Sequence, residues 1–215
     1  MQAIASHSTQ TWQIAPNPLV LTDVFLPEKH IAVWQRSRQQ TISQYFEMAF
    51  NDLGLGLRSV YSMKTLKQVL TEKLPDGKGK CEAIEDIYLL SDMLTCLFDC
   101  QDVGLRLAPM SSAMCPRFHI DNIPVRLVCT YLGDGTQWLP DEVVNHSKLG
   151  HGANGLPDHE SGLYCEPTAV QQLKAFDVAL LKGSAWDDDV TKAVVHRSCP
   201  IENGQTRVLL TLDPM

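Results

Sequence analysis

The sequence predicts an α+β protein whose N-terminal half is helical and whose C-terminal half is an antiparallel barrel or jelly roll. Up to about residue 100, apolar residues recur at three- and four-residue steps, which is the spacing of a buried helix face. After Gly104, apolar residues alternate with polar or small ones, which is the spacing of a strand. The predicted strands follow one another without crossover helices, as in antiparallel barrels and jelly rolls.

The N-terminal half is expected to contain an irregular arm and three helices. Pro16 and Pro18 interrupt residues 1 to about 25, so this segment is expected to be irregular. Pro27 suits the first turn of a helix, and a first helix is predicted from there to the glycines that follow Leu53. Apolar spacing predicts two further helices, over residues 63–74 and over residues 84 to about 100.

The C-terminal half is expected to supply the strands. The strongest prediction is a strand over residues 124–132, which ends in the hairpin-type turn Gly133-Asp134-Gly135. A Gly- and His-containing loop is expected to follow, and it could cover a site as a lid. The remaining expected elements are strands at 103–107, 117–121, 136–139, 176–181, 193–198 and 206–213, and a short helix at 166–173.

Length, composition and charge bound the class of protein. The 215 residues suffice for one core, so one domain over residues 1–215 is expected, with 1–102 as mainly helical support and 103–215 as the metal-binding core. The net charge of −7, without a Lys/Arg cluster, disfavours nucleic acid and anionic membranes as partners. Neither a signal peptide nor an apolar run of about 20 residues is visible. Seven scattered cysteines indicate free thiols, so a cytoplasmic location is expected.

Four residues of the β half form a pattern that predicts a metal site. His119 and Asp121 are two apart on a predicted strand, so their side chains point to the same face. His196 lies on a later strand. Two imidazoles and one carboxylate on one face of a metal form the facial triad of non-haem Fe(II) oxygenases. Arg207, on the strand after His196, could bind the distal carboxylate of 2-oxoglutarate through its planar guanidinium.

The residues around this pattern resemble a known family. The stretch FHIDNIPVRLVCTYLGDGTQWL resembles the metal-binding core of Fe(II)/2-oxoglutarate dioxygenases of the prolyl-hydroxylase type. The segments KGSAW, VVHRSCP and RVLLTLDP resemble the closing strands of the same fold. More closely, the whole chain resembles the uncharacterised bacterial family of domain of unknown function 1826. The close resemblance covers about residues 100 to 215, and the helical half matches more loosely.

The resemblance implies a double-stranded β-helix of jelly-roll or cupin type, with the N-terminal helices packed on it. It implies that His119, Asp121 and His196 are the iron ligands of the catalytic centre and that Arg207 anchors 2-oxoglutarate as co-substrate. Leu209 stands where many such oxygenases have Ser or Thr, so the sequence supports metal binding more strongly than 2-oxoglutarate binding.

Other residues of the β half have two interpretations each. Tyr131 could offer its hydroxyl to the co-substrate or could be an ordinary core tyrosine. Arg126 could enter the barrel and bind an anionic substrate, or could pair with a carboxylate at the surface. Trp138 could line the rim of the substrate pocket or anchor an aromatic core.

For Arg197, a structural ion pair is expected. His146, His151 and His159 match no compact zinc pattern, so a loop is favoured over a second metal site.

Two functions from different classes agree with these residues. The first is an Fe(II)- and 2-oxoglutarate-dependent oxygenase of the hydroxylase type, which acts on an unidentified small-molecule or protein substrate. The second is a non-catalytic metal-binding protein linked to zinc homeostasis, because zinc also accepts two histidines, one carboxylate and a water. Arg207 discriminates between them, since only the oxygenase needs a cation placed for a dicarboxylate.

Overall fold

A computed structural model of the chain describes residues 10–215. His7 and the first part of the predicted arm lie outside the described residues. Within residues 10–215, no helix has the length and apolar character needed to cross a bilayer.

The described residues form ten strands, three α-helices and several short 3-10 helices. The α-helices are α1 (Gln40–Ala49), α2 (Leu66–Lys73) and α3 (Lys80–Leu97). The 3-10 helices lie at Pro18–Phe25, Asp141–Val143, His146–Lys148, Gly150–Ala153, Pro167–Ala169 and Val190–Lys192. The strands are β1 (Trp12–Ala15), β2 (Ile31–Trp34), β3 (Leu57–Ser62), β4 (Asp102–Met110), β5 (Val125–Leu132), β6 (Gln137–Leu139), β7 (Gln171–Gln172), β8 (Val178–Lys182), β9 (Val195–Arg197) and β10 (Arg207–Pro214).

The strands build one large sheet and one small sheet. The large sheet has the order β1-β2-β8-β5-β10-β4-β3, and the small sheet has the order β7-β6-β9. The pairing of β1 with β2 is parallel, and the other strand pairs are antiparallel. The chain is therefore a mixed α/β protein with a predominantly antiparallel large sheet.

The two faces of the large sheet contribute to different apolar clusters. Alternate residues of β5, such as Leu127 and Cys129, belong to a cluster that includes residues of all three α-helices. Val128 on β5 and Leu209 on β10 belong to a second cluster, which includes Trp138 of the small sheet. Successive side chains of a strand point to opposite faces. The space between the two sheets is therefore separate from the helical layer, and it is in this space that polar residues can meet.

The N-terminal half differs from its expected structure. The helix predicted from Pro27 is wrong, because Ile31–Trp34 form strand β2 and α1 begins only at Gln40. A short apolar run that is buried on both faces has no period by which to tell a strand from a helix. Here the pairing of β2 with β1 and β8 decides in favour of the strand. With β1 and β3, residues 1–102 contribute three strands to the large sheet, so "mainly helical" describes this half only in part.

The remaining elements agree more closely with expectation. Helices α2 and α3 and strands β4, β5 and β10 occupy the segments predicted for them. The short helix predicted over residues 166–173 is wrong, because this segment forms the 3-10 turn Pro167–Ala169 and then strand β7. The strand predicted around His119 is reduced to one isolated bridge between His119 and His196.

Candidate metal centre

Three side chains that the sequence pattern selected meet at one point of the structure. Nε2 of His119 lies 3.7 Å from Oδ1 of Asp121, and Nε2 of His196 lies 3.5 Å from Oδ2 of the same carboxylate. One ligand atom from each residue lies within 4.8 Å of the other two. Among residues 10–215 this is the one group of three or more His, Cys, Asp or Glu side chains that could hold an ion.

The backbone holds the two histidines side by side. The N–H of His119 donates to the carbonyl of His196 at 3.0 Å, and the N–H of His196 donates back to the carbonyl of His119 at 2.9 Å. Residues that exchange both backbone hydrogen bonds lie directly opposite each other. The imidazole centroids are consequently only 4.6 Å apart. This isolated bridge positions His119 beside His196, where the sequence predicts a full strand.

Both imidazoles are oriented by a backbone carbonyl. Nδ1 of His119 is 2.9 Å from the carbonyl oxygen of Arg117, and Nδ1 of His196 is 3.0 Å from that of Val194. A carbonyl oxygen only accepts hydrogen bonds, so Nδ1 is the protonated nitrogen in each neutral ring. The lone pair is then on Nε2, which is the nitrogen that faces Asp121. Burial and the neighbouring His196 lower the pKa of His119, which favours the neutral form that a metal needs.

The carboxylate of Asp121 is held ionised by its surroundings. Burial alone would raise the pKa of Asp121, but His196 in its protonated form, followed by the charge of Arg126, outweighs burial and brings the pKa to about 2. Nη1 of Arg126 donates to Oδ2 of Asp121 at 2.7 Å. The other side of the guanidinium binds both carboxylate oxygens of Asp213 at 2.7 Å. Arg126 therefore links Asp121 to Asp213 on β10, and this link orients the Asp121 carboxylate.

Gly183, at the end of β8, allows the backbone at Asp121 to pass close by. A Cβ atom at this position would overlap the carbonyl oxygen of Ile123 and lie 2.7 Å from that of Asp121. The following N–H, that of Ser184, donates to the Asp121 carbonyl at 2.8 Å. Glycine is needed here because of this close approach, which explains the role of the KGSAW segment in the site.

The three donors suit a divalent transition metal. Typical distances from such a metal to imidazole nitrogen or carboxylate oxygen are about 2.0–2.2 Å, so two ligand atoms on one ion are at most about 4.4 Å apart. The measured separations of 3.5 and 3.7 Å fall within that limit. The donor set of two imidazoles and one carboxylate fits iron and also fits zinc.

The group opens on a cavity of about 510 Å³. This cavity lies on the side of the large sheet that carries Val128, Leu209 and Thr211, and His119, Asp121 and His196 are part of its lining. A cavity of this size can hold a small molecule next to the metal position.

Arg207 is buried in the same inter-sheet space. It is 1% exposed, and its Nη2 donates to the hydroxyls of Thr130 at 3.2 Å and Thr136 at 3.0 Å. Within residues 10–215, Nε and Nη1 have no hydrogen-bond partner. Burial lowers the pKa of the guanidinium, and no carboxylate forms an ion pair with it among the described residues. Thr136 lines the cavity, so the arginine lies directly behind the cavity wall.

Two residues expected at the site lie elsewhere. Tyr131 points to the helical side of the large sheet, where it is fully buried, stacks on Phe46 and donates to Asp86 at 2.8 Å. Alternation along β5 places it on the face opposite Arg126 and Thr130. Trp138 is 2% exposed and packs in the inter-sheet core against Trp12. Neither lines the 510 Å³ cavity, so both expectations of a ligand contact are corrected to core roles.

The position of Arg126 agrees with part of each of its two interpretations. It lines the cavity, and it pairs there with the carboxylates of Asp121 and Asp213. Contact with a substrate stays a prediction. Arg197 pairs with Asp158 at 3.2 Å, as expected for a structural ion pair.

The loop after β6 is anchored next to the two histidines by Asp158, a residue the sequence reasoning missed. Its carboxylate accepts from Nε of Arg117 at 2.7 Å, from the N–H of Phe118 at 2.9 Å and from Nη1 of Arg197 at 3.2 Å. Arg117 and Phe118 precede His119, and Arg197 follows His196. No local pattern in the sequence marks an aspartate 40 positions away as their partner.

The histidines of this loop have other neighbours. His146 lies 2.7 Å from Asp141, and His159 lies 3.2 Å from Glu160. Together with His151 they form no three-residue metal cluster among the described residues.

Asp158→Ala should lower both the stability of the protein and the metal affinity of the candidate centre. The change removes three hydrogen bonds and leaves the partly buried Arg197 without its carboxylate, at a cost of about 2–3 kcal/mol. We expect the Tm to fall by about 4–10 °C and metal affinity to fall about tenfold. Thermal unfolding and metal titration measure the two effects. Asp141→Ala is the matched control, because Asp141 also pairs with a basic side chain of this loop but, among residues 10–215, makes no side-chain hydrogen bond to the segments that carry His119 and His196. Equal metal affinity in both variants would contradict the positioning role.

Two sheets that enclose a cavity with converging imidazole and carboxylate groups define a mixed α/β protein with a candidate mononuclear metal centre. The chain belongs to the family described as Protein of unknown function (DUF1826), whose sequence model matches residues 15–213. No curated protein sequence matches the chain.

Several solved structures are similar in fold at low sequence identity. A prolyl 4-hydroxylase from Phytophthora capsici is 16% identical, with a TM-score of 0.49, over 90% of this chain and 61% of that one. The rice dioxygenase for auxin oxidation is 11% identical, with a TM-score of 0.47, over 86% of this chain and 73% of that one. HygX from Streptomyces hygroscopicus, with nickel and 2-oxoglutarate bound, is 11% identical, with a TM-score of 0.46, over 85% and 81%.

Proposed function

We propose that this protein is an Fe(II)- and 2-oxoglutarate-dependent oxygenase of the hydroxylase type. One observation carries the proposal: a buried arginine, Arg207, whose Nε and Nη1 have no partner among residues 10–215, lies in the same inter-sheet space as two imidazoles and a carboxylate that converge on one point. Metal binding alone accounts for the three ligands. It does not account for a buried guanidinium that has no ion-pair partner among residues 10–215, which is costly unless an anion binds to it.

The strand order supports a double-stranded β-helix as the framework, with the N-terminal helices as its support. Strands β4, β10, β5 and β8 lie side by side in the large sheet, and the His119 bridge, β9, β6 and β7 lie side by side opposite them. From β4 to β10 the strands, with the His119 bridge counted among them, thus alternate between the two sheets, except that β6 and β7 follow each other in the small sheet, and this order agrees with a jelly roll. This alternation brings His119, which precedes β5, next to His196 on β9.

His119, Asp121 and His196 are the residues that would hold iron. With two imidazoles and one carboxylate as ligands, the ion would have positions left for a bidentate co-substrate and for O₂. Bound iron and 2-oxoglutarate would together supply the oxidant that hydroxylates a C–H bond of the substrate. The contribution of the chain is to present Nε2 of each histidine and to keep Asp121 ionised and oriented through Arg126.

Arg207 would hold the distal carboxylate of 2-oxoglutarate. Nη1 and Nε are free to donate, and charge-assisted hydrogen bonds of this kind are about twice as strong as neutral ones. The hydroxyls of Thr130 and Thr136 fix the guanidinium in place. Thr136 also lines the cavity, so its hydroxyl can take the part of the Ser or Thr that Leu209 replaces.

Elemental analysis together with succinate release tests the proposal. Protein loaded with Fe(II) should retain about one iron per chain and should convert 2-oxoglutarate to succinate, at least slowly, without a prime substrate. Asp121→Asn, which keeps the shape of the side chain and removes its charge, is the control and should lose turnover. Stoichiometric zinc with neither 2-oxoglutarate binding nor turnover in the iron-loaded protein would favour the non-catalytic zinc protein instead.

A further inference from the structure

Two arginines that the metal centre does not use face the same cavity. Arg58 on β3 and Arg106 on β4 are direct cross-strand partners, and both line the 510 Å³ cavity. The pairing is antiparallel, so their side chains leave the sheet on the same face and next to each other. Arg106 could have been noticed in the sequence, because Leu105 and Leu107 flank it and point to the opposite side.

Neither guanidinium has a counter-charge in the described part of the chain. Within residues 10–215, no carboxylate forms an ion pair with Arg58 or Arg106, and residues 1–9 contain no Asp or Glu. The acid placed closest in register, Asp213, is two residues beyond the β10 partner of Arg106, and both of its oxygens are occupied by Arg126. Burial and the charge of Arg58 lower the pKa of Arg106.

Arg58 is exposed and Arg106 is half-buried, so water screens part of their repulsion, and a bound anion would offset the rest. Like charges directly opposite each other on neighbouring strands destabilise the pair. The other two arginines of the cavity lining do form ion pairs, Arg126 with Asp121 and Asp213, and Arg197 with Asp158. A cleft lined by unmatched positive charge concentrates anions, and guanidinium groups match the geometry of carboxylate and phosphate oxygens.

We propose that Arg58 and Arg106 form a subsite for an anionic oxygen group, a carboxylate or a phosphate, on the prime substrate. The proposal rests on the proposed function, because it places this subsite in the cavity next to the metal position. It is distinct from the 2-oxoglutarate anchor, since Arg207 lies four residues along β10 from Thr211, the strand partner of Arg106. The substrate class is therefore an anionic small molecule, or a peptide that presents an acidic or phosphorylated side chain.

Anion titration of the metal-free protein tests the subsite independently of the oxygenase chemistry. Inorganic phosphate and acetate are titrated separately by calorimetry, at constant ionic strength, into wild type and into the double variant Arg58→Gln/Arg106→Gln. We expect at least one anion to bind wild type and to bind the double variant about 100-fold more weakly, because each arginine contributes a charge-assisted hydrogen bond worth about tenfold. The anion that binds identifies the group on the substrate.

The control variant Lys64→Gln/Lys73→Gln removes the same net charge from exposed positions outside the cavity. It should bind the anion within about twofold of wild type. The Tm of the Arg58→Gln/Arg106→Gln variant should equal or exceed that of wild type, since the change relieves repulsion, and this excludes unfolding as the cause of lost binding. If wild type binds neither anion, or if the double variant binds as well as wild type, the subsite is disproved. Succinate release in that case would leave the oxygenase proposal standing.

Discussion

Replacing both His119 and His196 by alanine should leave the purified protein without stoichiometric metal. The change removes both imidazole donors and leaves Asp121 as the last of the three ligands that converge in the cavity. A single carboxylate on a protein surface does not retain a transition metal through purification, and affinity should fall by well over about 100-fold. Elemental analysis of the purified variant beside wild type measures the effect directly.

The histidines of the loop after β6 provide a control for this experiment. His151→Ala/His159→Ala removes the same two side-chain types from residues that belong to no metal cluster in the described part of the chain. This variant should retain the same metal content as wild type. Metal that remains bound at full stoichiometry in His119→Ala/His196→Ala would place the metal site elsewhere.

Replacing Arg207 by methionine should abolish 2-oxoglutarate binding and leave the free protein at least as stable as wild type. Binding should weaken about 100-fold or more, because two charge-assisted hydrogen bonds to the carboxylate are lost. The free protein should not be destabilised, since an apolar side chain of similar length would replace a buried charge whose Nε and Nη1 have no partner among residues 10–215. Calorimetric titration of 2-oxoglutarate in the presence of Mn(II) measures the first effect, and thermal unfolding measures the second.

For a second arginine with a largely buried side chain, Arg36, we expect the opposite effects on stability and on 2-oxoglutarate binding. Arg36 forms a 2.6 Å ion pair with Asp86 and donates to the carbonyl of Phe176. Arg36→Met leaves the aspartate buried without its cation, so we expect a loss of about 3–5 kcal/mol of stability with 2-oxoglutarate affinity retained. If Arg207→Met instead unfolds the protein and binding survives in the folded fraction, Arg207 is a structural residue and the oxygenase proposal loses its main support.

The sequence contained enough information to locate the candidate metal ligands, because their spacing is local or because they lie on strands with a strong sequence pattern. His119-x-Asp121 is a two-residue spacing, and His196 lies within an apolar run that forms β9. The same local signals placed α2, α3 and the long strands correctly. The ligand roles of these residues stay predictions until the metal is measured, but their convergence follows from the strand pairing.

Alternation along β5 was harder to interpret from sequence. Every residue of this strand from Leu127 to Leu132 is buried, because one face packs on the helices and the other on the small sheet. Apolar character therefore cannot say which face is the cavity. The sequence allows a site role for both Tyr131 and Arg126, and only Arg126 lines the cavity.

The sequence by itself determined the β character of the C-terminal half, the helices α2 and α3, and the three residues that could bind a metal. Tertiary structure alone decided the rest. It turned Ile31–Trp34 into a strand through pairing with β8, placed Asp158 between the two histidine segments, and set Arg58 opposite Arg106. Each of these contacts joins residues far apart in the chain, and their geometry depends on strand register and packing, to which local spacing is insensitive.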